Sequence, residues 1–185
     1  MKSNRLKVGV MGAASNALAG ADISRLESIA EELGRVLATR ELVTVTGATT
    51  GLPHMVSRAA RKHGGLTIGI SPAMNEREHR ERFRLPVDDT DVIIYTGFGL
   101  KGRNVVNIRS SDIVIIFGGE MGTLNEFTIA YDEGKIIGIL TGSGGVADHI
   151  PEIIGFAGKP TESIVIYDSE PERLIEACLN AFRLD

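Results

Sequence analysis

The 185-residue sequence predicts an α/β fold of three layers, with a mostly parallel sheet of about seven strands between two layers of helices. Three observations predict it. Short apolar runs alternate with helical segments along the whole chain. Several of those runs are apolar at consecutive positions, as strands covered by helices on both faces are. The turns that follow the runs are rich in Gly, Ser and Thr, and the chain holds 22 glycines in all. With no internal repeat and no linker, residues 1–185 read as one domain, long enough to bury a substantial core.

The elements follow in order. Leu6 to Met11 is the first strand, and it leads into a small-residue loop, Gly12-Ala13-Ala14-Ser15-Asn16. Ser24 with Glu27 has the spacing of a capping box, and the helix after it buries the stripe Leu26, Ile29, Ala30, Leu33 and Leu37. Leu42 to Thr46 is the second strand, followed by the loop Gly47-Ala48-Thr49-Thr50-Gly51. Pro53 suits the first turn of the next helix, whose apolar face is Leu52, Met55, Val56, Ala59 and Ala60. Gly64-Gly65 stops that helix, and Leu66 to Ile70 is the third strand. Residues 71–91 carry a mixed charge run, Glu76 to Arg82, that reads as a solvated loop or short helix; a lid over the ligand is the competing reading. Asp91 to Thr96 is the fourth strand, Gly97, Gly99 and Gly102 make a third glycine loop, and Arg103 to Ser111 is a short helix with Val105, Val106 and Ile108 inward. Ile113 to Phe117 is the fifth strand, broken by Gly118, Gly119 and Gly122 before a helix that starts at Thr123 and runs to about Gly134. Ile136 to Leu140 and Ser163 to Tyr167 are the last strands. Between them lie the loop Gly142 to Gly145 and an interrupted helical stretch to about Phe156, and a final helix carries Leu174, Ile175, Cys178, Leu179 and Phe182.

Composition excludes several classes of function. A net charge of −4 argues against a general nucleic-acid binder. The single cysteine, Cys178, forbids an intrachain disulfide framework. No apolar run reaches the length of a membrane span, and the first strand begins at once, so the expected address is cytoplasmic, with no membrane contact. His54, His63, His79 and His149 lack metal-ligand spacing and read as surface or helix-face residues, so no metal is expected. Neither GxGxxG nor GxxxxGK[ST] is present.

In parallel sheets the ligand crevice lies beyond the carboxyl ends of the strands, where the strand order reverses. That places a crevice among residues 12–16, 46–51, 97–103 and 118–126. A strand that ends in a glycine loop and turns into a helix offers free amides and a partial positive charge to an anion. The stretch Asp112 to Lys135 has this form, so a phosphate or similar anion is expected there. Two residues beside it could do chemistry. Glu126 stands three residues after Thr123, so it reads either as the second half of a capping box or as a carboxylate kept ionised by the helix dipole, able to stabilise positive charge on a ribose or to activate water. Arg103 reads either as a surface ion-pairing residue or as a fork that holds phosphate or orients a leaving base.

The segment Gly118-Gly119-Glu120-Met121-Gly122-Thr123-Leu124-Asn125-Glu126 resembles the PGGxGTxxE fingerprint of the Lonely-guy group, also called "lysine decarboxylase-like", a superfamily that includes molybdenum-cofactor carrier proteins. Upstream, TGATTGLPHMVSRAARKHGGLTIGISP is similar to the group's GGxxGLMGxVxxAAxxxGGxVxGxxP, and the likeness spans about residues 6–140. The resemblance implies a Rossmann-like fold, a homodimer, no cofactor, and hydrolysis of a nucleoside 5′-monophosphate to free base and ribose 5-phosphate. It implies that Glu126 and Arg103 are catalytic and that the GT loop, with Gly118, Gly119, Gly122 and Thr123, holds the phosphate; the crevice at the strand ends adds Gly12, Ala13, Gly47 and Thr49 as expected ligand residues. Three departures stand out. Gly118 replaces the motif's Pro, Glu120 replaces a Gly and adds negative charge, and Leu100-Lys101-Gly102-Arg103-Asn104 replaces the group's MHERK segment. They are compatible with a second reading, a non-catalytic carrier or sensor of molybdenum cofactor or a nucleotide. Nothing in the sequence supports lysine decarboxylation.

Overall fold

The computed structural model describes residues 5–14 and 22–184. Its seven strands form one sheet in the order β4-β3-β2-β1-β5-β6-β7, and every pairing is parallel. They are β1 (Lys7–Gly12), β2 (Val43–Thr46), β3 (Thr67–Ser71), β4 (Val92–Tyr95), β5 (Ile113–Phe117), β6 (Ile136–Leu140) and β7 (Ile164–Asp168). The helices between and after them are α1 (Ile23–Thr39), α2 (Leu52–Lys62), α3 (Glu76–Glu81), α4 (Gly99–Arg109), α5 (Met121–Asp132), α6 (Ile150–Ala157) and α7 (Pro171–Leu184), with a 3-10 turn at Gly145–His149 before α6. This is the predicted Rossmann-like architecture.

The sheet is apolar on both sides, so two cores form. On one side Leu26, Leu33, Leu37, Leu52, Val56 and Leu174 of α1, α2 and α7 pack on Val8, Val10, Ile113, Ile115 and Phe117. On the other, Phe127, Ala130, Ala147 and Ile150 pack on Val114, Ile116, Ile137 and Ile139. All five residues of β5 are buried for this reason, each large one contributing about 1.5–3 kcal/mol by leaving water. Helices α1 and α2 approach closely at Gly34, where a Cβ would lie 2.5 Å from that of Ala59.

Several local expectations are corrected. The N-cap of α1 is Asp22, whose side chain accepts from the Arg25 amide, so Ser24 and Glu27 lie inside the helix and form no capping box. Helix α4 begins at Gly99, so Gly99 and Gly102 are helical and Arg103 sits in its second turn rather than at its start. Its buried residues are Arg103, Asn104, Asn107 and Ile108, while Val105 and Val106 are only half-buried. Polar partners, not apolar burial, hold most of that face. Helix α5 begins at Met121, two residues before Thr123, with Glu120 as N-cap. His79 is fully buried rather than a surface residue. Its Nε2–H donates to the Pro86 carbonyl (2.9 Å), so its Nδ1 accepts the Ser71 hydroxyl (2.8 Å). That pins α3, the short helix expected within residues 71–91, and none of these residues lines the cavity at the ends of β1, β2 and β5.

The order of strands reverses between β1 and β5. Gly12 ends β1 opposite Phe117, the last residue of β5, and a Cβ on Gly12 would lie 2.4 Å from the Phe117 carbonyl oxygen. The crevice opens at this pair, as expected for a doubly wound sheet.

Candidate functional site

A cavity of about 200 Å³ lies at the carboxyl ends of β1, β2 and β5. Gly12, Gly47, Thr49, Gly122 and Thr123 line it, together with Arg103 and Glu126. Three of the predicted ligand residues stand behind the wall instead. Ala13 is buried, its N–H on the Phe117 carbonyl and its own carbonyl accepting from Leu52. Gly118 has φ +63° and donates its N–H to Ser143 Oγ (2.9 Å). A proline there would lack both the φ and the N–H, which explains the departure from the fingerprint. Gly119, at φ +100°, accepts from the Val146 amide, and a Cβ on it would strike Thr123 Oγ1 at 2.3 Å. Ser15 and Asn16 of the first predicted loop lie outside the described residues.

The first turn of α5 faces this cavity. The Leu124 amide is the first of the helix to find a carbonyl, that of Glu120, so the amides of Gly122 and Thr123 have no partner among the described residues. One turn further in, Glu126 is 7% exposed and Arg103 is 6% exposed. Arg103 Nη1 lies 3.1 Å from Glu126 Oε1, and Asn107 Nδ2 donates to the same oxygen at 3.3 Å. Turning the Asn104 amide over gives its NH2 two acceptors, Glu126 Oε1 at 3.2 Å and the Leu100 carbonyl at 3.0 Å; its oxygen then lies 2.8 Å from Asn125 Oδ1, so the Asn125 amide turns with it and donates. Every donor therefore reaches Oε1; Oε2 accepts none among the described residues.

This geometry decides between the two readings of Glu126. It is the sixth residue of α5 and bonds across to α4, so it does not cap its own helix. The helix dipole, which fades within the first turn, does not govern its charge. Burial pushes its carboxyl pKa up, opposed by Arg103, Asn107 and Lys101. Burial also pulls the Arg103 guanidinium down, opposed by Glu126. Arg103 is thus no surface ion-pairing residue. Its Nε is buried with no hydrogen-bond partner among the described residues, and its guanidinium abuts the Gly47 backbone, where a Cβ would come within 2.1 Å of Nη1.

Sequence reasoning missed Asn104, Asn107 and Pro53 as parts of this site; Lys101 lay inside the predicted crevice stretch 97–103 but was given no role of its own. The signal for Asn107 was present: it stands four residues after Arg103, on the same face of a helix. Among the described residues no three of His, Cys, Asp and Glu gather as metal ligands would. No described helix is long and apolar enough to cross a membrane.

A model of the SLOG cluster4 family matches residues 5–175. The chain belongs to that family, as the glycine fingerprint led us to expect. It is 31% identical over 135 residues to an uncharacterised protein of Archaeoglobus fulgidus, a match that covers 73% of this chain and 80% of the relative. It is 33% identical over 112 residues to a cytokinin riboside 5′-monophosphate phosphoribohydrolase of Mycobacterium marinum, covering 60% of this chain and only 57% of that enzyme. Among solved structures, the molybdenum cofactor binding protein of Rippkaea orientalis is 30% identical with a TM-score of 0.77, covering 97% of this chain and 99% of that one.

Proposed function

We propose that the protein hydrolyses the N-glycosidic bond of a nucleoside 5′-monophosphate, releasing free base and ribose 5-phosphate. The observation that carries this reading is the half-committed carboxylate of Glu126: Oε1 is held by Arg103 and Asn107, Oε2 takes no hydrogen bond among the described residues, and the group lines the cavity beside the first turn of α5. A phosphate seated on the Gly122 and Thr123 amides would leave the ribose toward Glu126. As the bond from C1′ to the base nitrogen breaks, its electron pair leaves with the base and positive charge builds on the ribose. A carboxylate within reach stabilises that charge and takes the proton of the attacking water, whose oxygen bonds to C1′; that proton then passes to the departing base nitrogen, by way of solvent, and the carboxylate is restored. Burial raises its pKa, which makes the carboxylate a stronger base than a solvated glutamate. The resemblance to the mycobacterial phosphoribohydrolase supports the same reaction class.

One observation favours a second reading, carriage of a phosphorylated cofactor without turnover. The molybdenum cofactor binding protein superposes on nearly the whole chain at 30% identity. The same assay separates the two. Purified protein is incubated with AMP, GMP, IMP, CMP, UMP and an N6-modified AMP, and free base and ribose 5-phosphate are followed by chromatography. We expect base release that falls roughly a hundredfold or more in Glu126→Gln. No release from any of the six, with thermal stabilisation by a phosphorylated ligand, sinks the hydrolase and leaves the carrier.

We also propose a homodimer. Met74, Val92, Ile94 and Phe98 expose apolar surface near the β4 edge of the sheet. Sedimentation should give a dimer that Ile94→Asp dissociates; a wild-type monomer at micromolar concentration would end that proposal.

A further inference from the structure

We propose that Lys101 is the cation that receives the ligand's phosphate at the N-terminus of α5, and that Glu120 on the rim makes this seat prefer a phosphate monoester over a longer polyphosphate. The inference rests on the reading of the cavity as a phosphorylated-ligand site.

Arg103 would be the obvious phosphate residue, yet it is engaged elsewhere. Its Nη1 is on Glu126 and its guanidinium is wedged against Gly47. Lys101 is differently placed. It is exposed on the first turn of α4, lines the cavity, and makes no ion pair or hydrogen bond among the described residues. Its Nζ stands 3.7 Å from where a Cβ on Gly122 would be. The charge therefore lies beside the free amides of Gly122 and Thr123, and the absence of a side chain at Gly122 keeps the space between them open. Helix dipole, amides and ammonium converge on one spot. The seat opens into the cavity that Arg103 and Glu126 also line.

Glu120 opposes part of this attraction. It is exposed, lines the cavity as the N-cap of α5, and pairs with no cation among the described residues. The four charged side chains on the wall, Lys101, Arg103, Glu120 and Glu126, sum to zero. The seat thus attracts an anion through local placement rather than net charge. Each further phosphate adds repulsion from Glu120 without a further cation to meet it.

The test is amide-resolved NMR with inorganic phosphate, ribose 5-phosphate, AMP and ADP, on wild type, Lys101→Met, Lys101→Arg and Glu120→Gln. In wild type the Gly122 and Thr123 amides should shift with all four. Lys101→Met should weaken each about three- to tenfold, as expected for one partly exposed charge-assisted contact. Lys101→Arg should restore most of the loss, which a purely structural role would not require. Glu120→Gln should tighten ADP more than AMP. Unchanged dissociation constants in Lys101→Met, or no anion that moves those amides in wild type, overturn the seat. Equal tightening of AMP and ADP in Glu120→Gln overturns the selectivity. Failure of the functional reading looks different: phosphate and ribose 5-phosphate bind through Lys101 while AMP neither binds nor is cleaved. Conversely, AMP cleavage with an unaltered KM in Lys101→Met leaves the hydrolase standing and removes Lys101 from it.

Discussion

Breaking the Arg103–Glu126 pair from one side should cost more than removing it from both. Nη1 and Oε1 are 3.1 Å apart, and the two side chains are 8% and 9% exposed. With an effective dielectric constant near 20, their attraction is ~5 kcal/mol. Desolvating each ion costs several kcal/mol, so the pair roughly balances itself. Arg103→Met strands a buried carboxylate and should destabilise by about 3–5 kcal/mol. Glu126→Gln leaves an amide oxygen that still accepts from Nη1 but strands the buried guanidinium charge, so its loss should also be about 3 kcal/mol or more. The double variant strands no charge and should lie within ~2 kcal/mol of wild type. Urea unfolding followed by far-ultraviolet circular dichroism suits a chain without tryptophan. A double-variant loss equal to the sum of the single losses, within ~0.5 kcal/mol, would refute the coupling. The pH dependence supplies a second check. Glu126's folded pKa lies above its ordinary 4.5, so the native state holds this proton more tightly than the unfolded chain. Glu126's share of the stability therefore falls as pH rises from 4.5 through the raised value. Without Arg103 that window widens upward, and the Arg103→Met deficit should shrink as pH is lowered through it.

Two further outcomes are expected. If Glu126 must be ionised to act, the acid limb of kcat/KM against pH should fall above 4.5, the ordinary value for the residue, and should vanish from the residual activity of Glu126→Gln. Gly47→Ala places a methyl group within 2.1 Å of Arg103 Nη1 and should displace the guanidinium from Glu126, so turnover should drop at least tenfold and the urea midpoint should fall as well; full activity would show that Arg103 needs no fixed position.

Much of the fold was legible because strands buried on both faces write a simple pattern. Ile113 to Phe117 could be read as a strand from five consecutive apolar residues, and Phe117 does end at the crevice. The failures share a cause. Gly97, Gly99 and Gly102 looked like a loop because glycine usually breaks helices, and the apolar positions of α4 gave no stripe to contradict that. Its inward residues are Arg103, Asn104 and Asn107, whose partners lie on α5 and β1, about 20 residues or more away in sequence. His79 was misread likewise, since only the folded chain brings Ser71 and Pro86 to its ring. The candidate chemistry at Glu126 and Arg103 could be named from the sequence, but not the shared oxygen that joins them.

The inverted burial of α4 has an evolutionary consequence. Three of its four buried residues are polar, and only Ile108 belongs to either large apolar core. Those cores are built by other helices. Sequence drift in α4 would therefore alter what the cavity recognises while leaving the architecture largely untouched. A family built on this frame could diversify its ligands by rewriting one helix, and the replacement of the MHERK segment by Leu100-Lys101-Gly102-Arg103-Asn104 has the form of such a rewriting.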